Sequence, residues 1–233
     1  MIAKDKPTLR FASVRLLSRG WRVASLIFLF GAAALAGEPA TITFSVDFPG
    51  SNPDHYSIAV QSDGQAHYES TGKLSPDSDA GDPYQTDFQI SDPVRRRIFE
   101  LAAQANYFSG KVDTGKKNLA FTGTKKLAYS DSQRHSTAEY NFSNVAAVQQ
   151  MTALFQMVGA TLEYGRRLAY FHRYQKLALD EELKHMEDQA RRGEVSELQA
   201  VKPILQEIYD DASVINVVRA RARRIMDMAT GGR

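Results

Sequence analysis

The chain has 233 residues, 43% of them hydrophobic and 24% charged, a globular composition that argues against a disordered or fibrous protein. Cysteine is absent, which removes disulfides, thiolate chemistry and every zinc site except one built from histidine and carboxylates. The formal net charge of +2 is unevenly placed: residues 1–36 hold six of the 29 bases and one of the 27 acids, so the remainder carries 23 bases against 26 acids.

In the leader, Lys4, Lys6, Arg10, Arg15, Arg19 and Arg22 precede an apolar run over 23–35. Ala34-Leu35-Ala36 follows with the small-x-small pattern that a signal peptidase reads, and the run is short for a membrane span. This predicts a signal peptide over 1–36, cut after Ala36 and, without twin arginines, exported by the general secretory route. The alternative is an uncleaved N-terminal segment that tethers the protein to a membrane. Both place the rest of the chain outside the cytoplasm, periplasmic or secreted. An acidic mature chain in that compartment does not suit nucleic acid as a partner.

Residues 41–48 alternate Ile42, Phe44, Val46 and Phe48 against Thr43, Ser45 and Asp47, the period-two pattern of a half-buried strand. Two further strands, 55–61 and 65–70, flank Ser62-Asp63-Gly64. A three-residue loop with Gly64 left-handed sets Tyr68 opposite Ile58 and Ala66 opposite Val60, which collects the apolar side chains on one face. Residues 71–83 read as a loop. Its acids are Asp77, Asp79 and Asp82, and the first two are spaced like the start of a calcium loop. Phe88 occupies the closing position, however, so a solvated loop is the simpler account.

Residues 84–90 form another strand, after which Asp92-Pro93 predicts a helix with Asp92 as its N-cap. Its apolar face is Val94, Ile98, Leu101, Ala102 and Ala105, and Tyr107 and Phe108 close its end against the sheet. Arg95, Arg96 and Arg97 fan around the helix into solvent. A second hairpin spans 119–142, with Leu119, Phe121, Leu127 and Tyr129 in its first arm, a bulge at Gly123 and a turn at Asp131-Ser132-Gln133. Asn141-Phe142-Ser143 matches a glycosylation acceptor, although Ser143 or Asn144 serves better as the cap of the next helix.

Residues 145–192 carry two adjacent apolar stripes, Met151, Phe155, Val158, Leu162, Gly165, Ala169 and Leu154, Met157, Tyr164, Leu168, Phe171. From Leu179 the pattern narrows to one seam, Leu179, Leu183, Met186 and Ala190. One helix of that length would reach about 70 Å, so a bend is expected at Gly159, at Gly165 or before Asp180-Glu181-Glu182. Gly193 stops it. Ser196 with Gln199 resembles a capping box, Pro203 kinks or restarts the following helix, and Asp211 or Ser213 caps a last one. The predicted fold class is α+β: a small antiparallel sheet with one packed helix over 37–143, then an all-α region over 144–233 with a long bent helix and two shorter ones.

Chemistry-bearing constellations are sparse. Among His55, His67, His135, His172 and His185, none pairs with another at helical spacing. Glu182-x-x-His185 matches half of a di-iron element but has no second copy, so His185 reads as an exposed ion-pairing residue and His172 as a core or interface histidine. Arg219, Arg221, Arg223 and Arg224 read as intrahelical partners of Asp227 and nearby acids, with anionic lipid as the alternative. No nucleophile elbow, phosphate loop or zinc-helix motif is present, and no catalytic, cofactor or metal residue is assigned.

The run Tyr56-Ser57-Ile58-Ala59-Val60, Asp63-Gly64, Ala66 and Tyr68-Glu69, followed by a strand, a helix ending in Tyr107-Phe108 and a hairpin, resembles a family of uncharacterised exported bacterial domains. The resemblance covers residues 56–142, lacks the paired cysteines of many members, and implies an envelope or secreted setting and an α+β domain. The function expected is therefore that of an exported, non-catalytic protein binding a protein or cell-envelope component. The rival is a secreted hydrolase whose residues meet only in three dimensions. A homo-oligomer formed through Leu179, Leu183 and Met186 is a third expectation.

Overall fold

The computed structural model describes residues 38–74, 82–116 and 118–231. The leader and its cleavage site, with Asp77 and Asp79 of the calcium reading, lie outside these residues. The fold is α+β, a six-stranded antiparallel sheet followed by an all-helical C-terminal region.

Alternation dictates the sheet. In β1 (Thr41–Asp47) Ile42, Phe44 and Val46 are buried on one face while Thr43 and Ser45 face the other. β1 pairs on one side with β2 (His55–Gln61) and on the other with β5 (Thr124–Ser130). β3 (Gln65–Gly72), β4 (Asp82–Gln89) and β6 (His135–Tyr140) complete the order β4-β3-β2-β1-β5-β6. The β2–β3 register is the one that the loop argument requires, with Ile58 opposite Tyr68 and Val60 opposite Ala66. Gly64 has φ +99°, where a side chain would be strained. Two arms run past their expected ends: Thr71 and Gly72 belong to β3, and Asp82 and Pro83 to β4.

The second hairpin is shorter than expected. β5 begins at Thr124, and Leu119 and Phe121 stand outside it, exposed, because β1 ends at Asp47 and offers no further partner. Gly123, with φ +92°, is a corner ahead of the strand rather than a bulge within it, lying so close to Phe48 that a Cβ would come within 2.9 Å of it.

Two helices, not one, cover the apolar face of the sheet. α1 (Asp92–Gln104) buries Ile98, Leu101 and Ala102. Its N-cap is Ser91, not Asp92, and the Ser91 side chain does not cap the helix. Glu197 explains this, since its Oε1 accepts the Ser91 hydroxyl at 2.6 Å and its Oε2 the Ser91 N–H at 2.7 Å. Asp92 pairs instead with Arg95 at 3.0 Å. Past α1, Asn106, Tyr107 and Phe108 take three successive left-handed conformations that drive Phe108 into the core and set Tyr107 on Tyr129, ring centroids 4.6 Å apart.

The second covering helix is α2 (Ala146–Tyr174). Ser143 does not cap it; its hydroxyl donates to the Val112 carbonyl at 2.6 Å, and Val145 is the N-cap. Phe155 of α2 stacks on Phe44 of β1, ring centroids 5.1 Å apart. The expected bend falls at the third of the three candidates: α2 ends at Tyr174, a short turn follows, and α3 (Leu179–Arg192) begins just before the acids. Gly159 and Gly165 lie inside the unbroken α2. Each permits close approach, Gly159 to Tyr56 and Gly165 to Val201. Gly193 ends α3 with φ +69°. The Ser196–Gln199 capping box does not form: the Ser196 N–H donates to the Met157 carbonyl at 3.4 Å and the Gln199 amide to Glu197, while Thr161 donates to the Ser196 carbonyl at 2.5 Å. Pro203 restarts the chain as α4 (Lys202–Asp210), and α5 (Asn216–Gly231) follows, capped by neither Asp211 nor Ser213.

The described residues from Glu38 on belong to one compact unit with two hydrophobic clusters. One joins the sheet, α1 and α2 as far as Leu162; the other joins α2 from Tyr164 onward with α3, α4 and α5. Leu179, Leu183 and Met186 are each 0% exposed in the second cluster. The seam expected to bind a second copy is covered by the chain's own helices, and pairing through it would require those helices to part.

A Cβ at Gly165 would lie 2.5 Å from the Val201 Cγ1. Gly165→Ala should lower stability by about 1 kcal/mol net, the overpacking cost outweighing the helix-propensity gain. Urea unfolding should show that combining it with Val201→Ala costs less than the sum of the two single changes.

Candidate functional site

All five histidines have polar partners. His55 lies 2.6 Å from Asp47 and His67 2.6 Å from Asp87, both across the open polar face of the sheet, and His135 lies 2.9 Å from the Ser130 hydroxyl. His185 is 2.9 Å from Glu181 rather than Glu182, which accepts from Arg167 at 2.7 Å. The two ligands of the di-iron half-motif are thus committed separately. Among the described residues no three histidines or carboxylates gather as they would around a metal ion.

His172 has the neighbours that a hydrolase would need, in the wrong order. Asp211 accepts from His172 at 3.0 Å, from Lys176 at 2.6 Å and from the Ser213 hydroxyl at 2.7 Å. The carboxylate therefore stands between histidine and serine, whereas a triad needs the histidine between the other two. Lys176 also lies 2.5 Å from the Ser213 Oγ, but its ion pair with Asp211 opposes the neutral amine that a serine–lysine dyad uses as base. Hydrogen bonds from Lys176 and then Ser213 hold Asp211 well below the usual carboxylate range. The group ties the end of α2 to the loop before α5.

Among the described residues the arginine run of α5 makes no ion pair within its own helix, where only Arg219 finds a partner, Asn216 at 3.4 Å. Arg221 and Arg224 donate to Glu187 of α3 at 2.9 and 2.8 Å, joined by Arg191 at 2.5 Å. Arg219 and Arg223 lie instead over the ring of Tyr209. Glu187 is 1% exposed, and the hydrogen bonds from Arg224 lower its pKa below the ordinary glutamate value.

Two polar clusters are built into the sheet side. Lys125, buried on β5, donates to the carbonyls of Thr122, Gly123 and Asn141 and to the Thr122 hydroxyl at 3.0–3.1 Å. Burial lowers its pKa, and no carboxylate neutralises it among the described residues. It lines a cleft of about 550 Å³ with Tyr140, Phe142, Gln149 and Thr152. Tyr140, whose hydroxyl is 2.6 Å from that of Thr152, is pushed up to about 12 by burial.

The second cluster sits where the two hydrophobic clusters meet. Glu163 of α2 is 6% exposed, and its Oε1 accepts the Tyr68 hydroxyl at 2.8 Å and the Ser70 hydroxyl at 2.6 Å. Burial and then Glu163 raise the Tyr68 pKa well above its ordinary value. Arg166, one turn on, donates to the carbonyls of Gly72 and Asp82 at 2.9 and 2.6 Å and approaches Glu163 Oε2 at 3.7 Å. Glu163 opens onto a cleft of about 280 Å³ bounded by α2, α3 and the β2–β3 edge.

Exposed large apolar side chains fall into two sets. Leu119, Phe121 and Phe142 are 41–55% exposed near the start of β5. Tyr174 and Leu177, at and just past the end of α2, and Ile215 and Val217, at the start of α5, are 52–94% exposed.

No site residue was assigned from the sequence, and the geometry singles out Glu163, Arg166, Lys125 and Glu187. A signal for the first two exists: both are charged, three positions apart, within the apolar stripes of α2. No protein-family model matches the chain, and neither does any curated protein.

Because the pKa of Glu187 is lowered on folding, its stabilising effect is complete above about pH 4.5 and is lost as pH falls through the depressed folded value. Glu187→Gln should destabilise the chain by about 3 kcal/mol at pH 7, since it leaves arginines without their buried partner. Urea unfolding at pH 7 and pH 4 should also show a shallower acid loss in the variant than in the natural chain.

Proposed function

We propose that the protein is exported and acts without catalysis, by binding a protein or a cell-envelope component. The observation that carries this reading is the grouping of its exposed apolar side chains, above all Leu119, Phe121 and Phe142 beside the cleft at Lys125. Single exposed apolar residues need no explanation, but Phe142 lines a partly apolar cleft and Leu119 and Phe121 stand in the segment that Asn141 ties to its rim, a surface that gains by being covered. The titratable groups support the same reading, because His55, His67 and His172 are engaged with acids in pairs that connect structural elements. Export rests on the basic and apolar leader with its small-x-small site. Among the described residues no helix is long and apolar enough to cross a membrane.

Photo-crosslinking of the full chain in its own cells tests this reading. A crosslinking residue at Phe121 or Phe142 should give one discrete adduct outside the cytoplasm, and one at Glu139 on the polar sheet face should give none. Absence of adducts from both apolar positions, or ester or peptide hydrolysis abolished by His172→Ala, would contradict it in favour of the secreted hydrolase.

A further inference from the structure

The cleft at Glu163 shares Gln156 with the cleft at Lys125, but none of the exposed apolar side chains lines it, and its chemistry is more specific. We infer that it is a binding site for one neutral, hydroxyl-rich ring, such as a pyranose sugar.

The first observation is the carboxylate. Glu163 is more than nine-tenths buried, and its Oε1 is saturated by two hydroxyls, while its Oε2 has only Arg166 at 3.7 Å, beyond hydrogen-bond range. Glu163 is one of the residues that line the cleft, so its carboxylate borders that open space. A fixed acceptor with one free oxygen, anchored from behind, is prepared for a donor that enters the cleft.

The second observation is the lining. Tyr56, half-buried, and the rim of Tyr164 supply ring surface, while Tyr68 lies fully buried behind Glu163, and Gln156 of α2 and Gln189 of α3 present amides that bond to no other described residue. Each amide both donates and accepts, which matches a hydroxyl that does the same. Aromatic edges beside bifunctional amides suit a ring with C–H faces and hydroxyl rims.

The third is charge. The lining holds one acid and one base, Glu163 and Arg167, and Arg167 is itself held by Glu182 at 2.7 Å. A cationic ligand would need an excess of acid and an anionic one an excess of base. Here the formal charges cancel, and the volume of about 280 Å³ fits a single ring rather than a longer chain.

Titration calorimetry and saturation-transfer NMR on the full chain test the inference with three probes of one ring shape: N-acetylglucosamine, which is neutral, glucosamine, which is cationic, and glucuronate, which is anionic. The neutral probe should bind saturably and at least about tenfold more tightly than either charged one. Gln156→Ala and Gln189→Ala alter partly exposed side chains and should fold, and each should weaken binding about threefold to tenfold, the effect of one lost hydrogen bond. Ala160→Phe, which fills the cleft from α2, should abolish it. The inference is overturned if no probe binds, if a charged probe binds as well as the neutral one, or if the three folded variants bind like the natural chain. None of these results depends on whether the apolar set at Phe121 captures a partner.

Discussion

The structure depends on one helix burying two faces against different neighbours. α2 presents Met151, Phe155 and Val158 to the sheet, then Tyr164 and Leu168 to the helices that follow it. Neither group of neighbours covers the whole helix. A 29-residue amphipathic rod gains most of its stability from what covers its apolar stripes, so each neighbour stabilises the surface on which the other packs. The expected division at residue 143 places all of α2 with the C-terminal helices, whereas the two hydrophobic clusters exchange between Leu162 and Tyr164, inside α2.

At that exchange point the helix carries its polar anchors. Glu163 and Arg166 fasten α2 to β3 and β4, while Thr161 holds the Ser196 carbonyl and Gly165 admits Val201. Burying two charges is costly, and the cost is offset only where the remaining lone pairs and donors are met. Here Arg166 is met by two backbone carbonyls, while one oxygen of Glu163 has only Arg166 at 3.7 Å. The carboxylate is therefore part of the framework and also borders the cleft. The open face of the sheet differs: its histidines and acids pair across neighbouring strands and are partly exposed to water.

Local rules were legible in the sequence wherever local physics decides. The register of β2 and β3 follows from alternation and a left-handed glycine, and Gly193 ends its helix as a glycine in that position commonly does. What could not be read depends on residues distant in the chain. Ser91 loses its capping role to Glu197, the Ser196 capping box yields to Met157, and the arginines of α5 find Glu187 on another helix. Leu119 and Phe121 alternate like a strand but meet no partner beyond the end of β1. The cleft at Glu163 draws on β2, β3, α2 and α3, so only the pair of charges within an apolar stripe could have pointed to it.

Native-state hydrogen exchange tests the shared-helix account most directly, because it measures the opening free energy of each segment separately. If α2 is the common wall, slow amides in β1, along α2 from Val148 to Leu168, and in α3 and α5 should share one opening free energy and respond alike to low denaturant. Loss of protection in α3, α4 and α5 together, at a much smaller free energy than the sheet and the first half of α2, would mean that the helical region folds as a separate unit. That result would contradict the account.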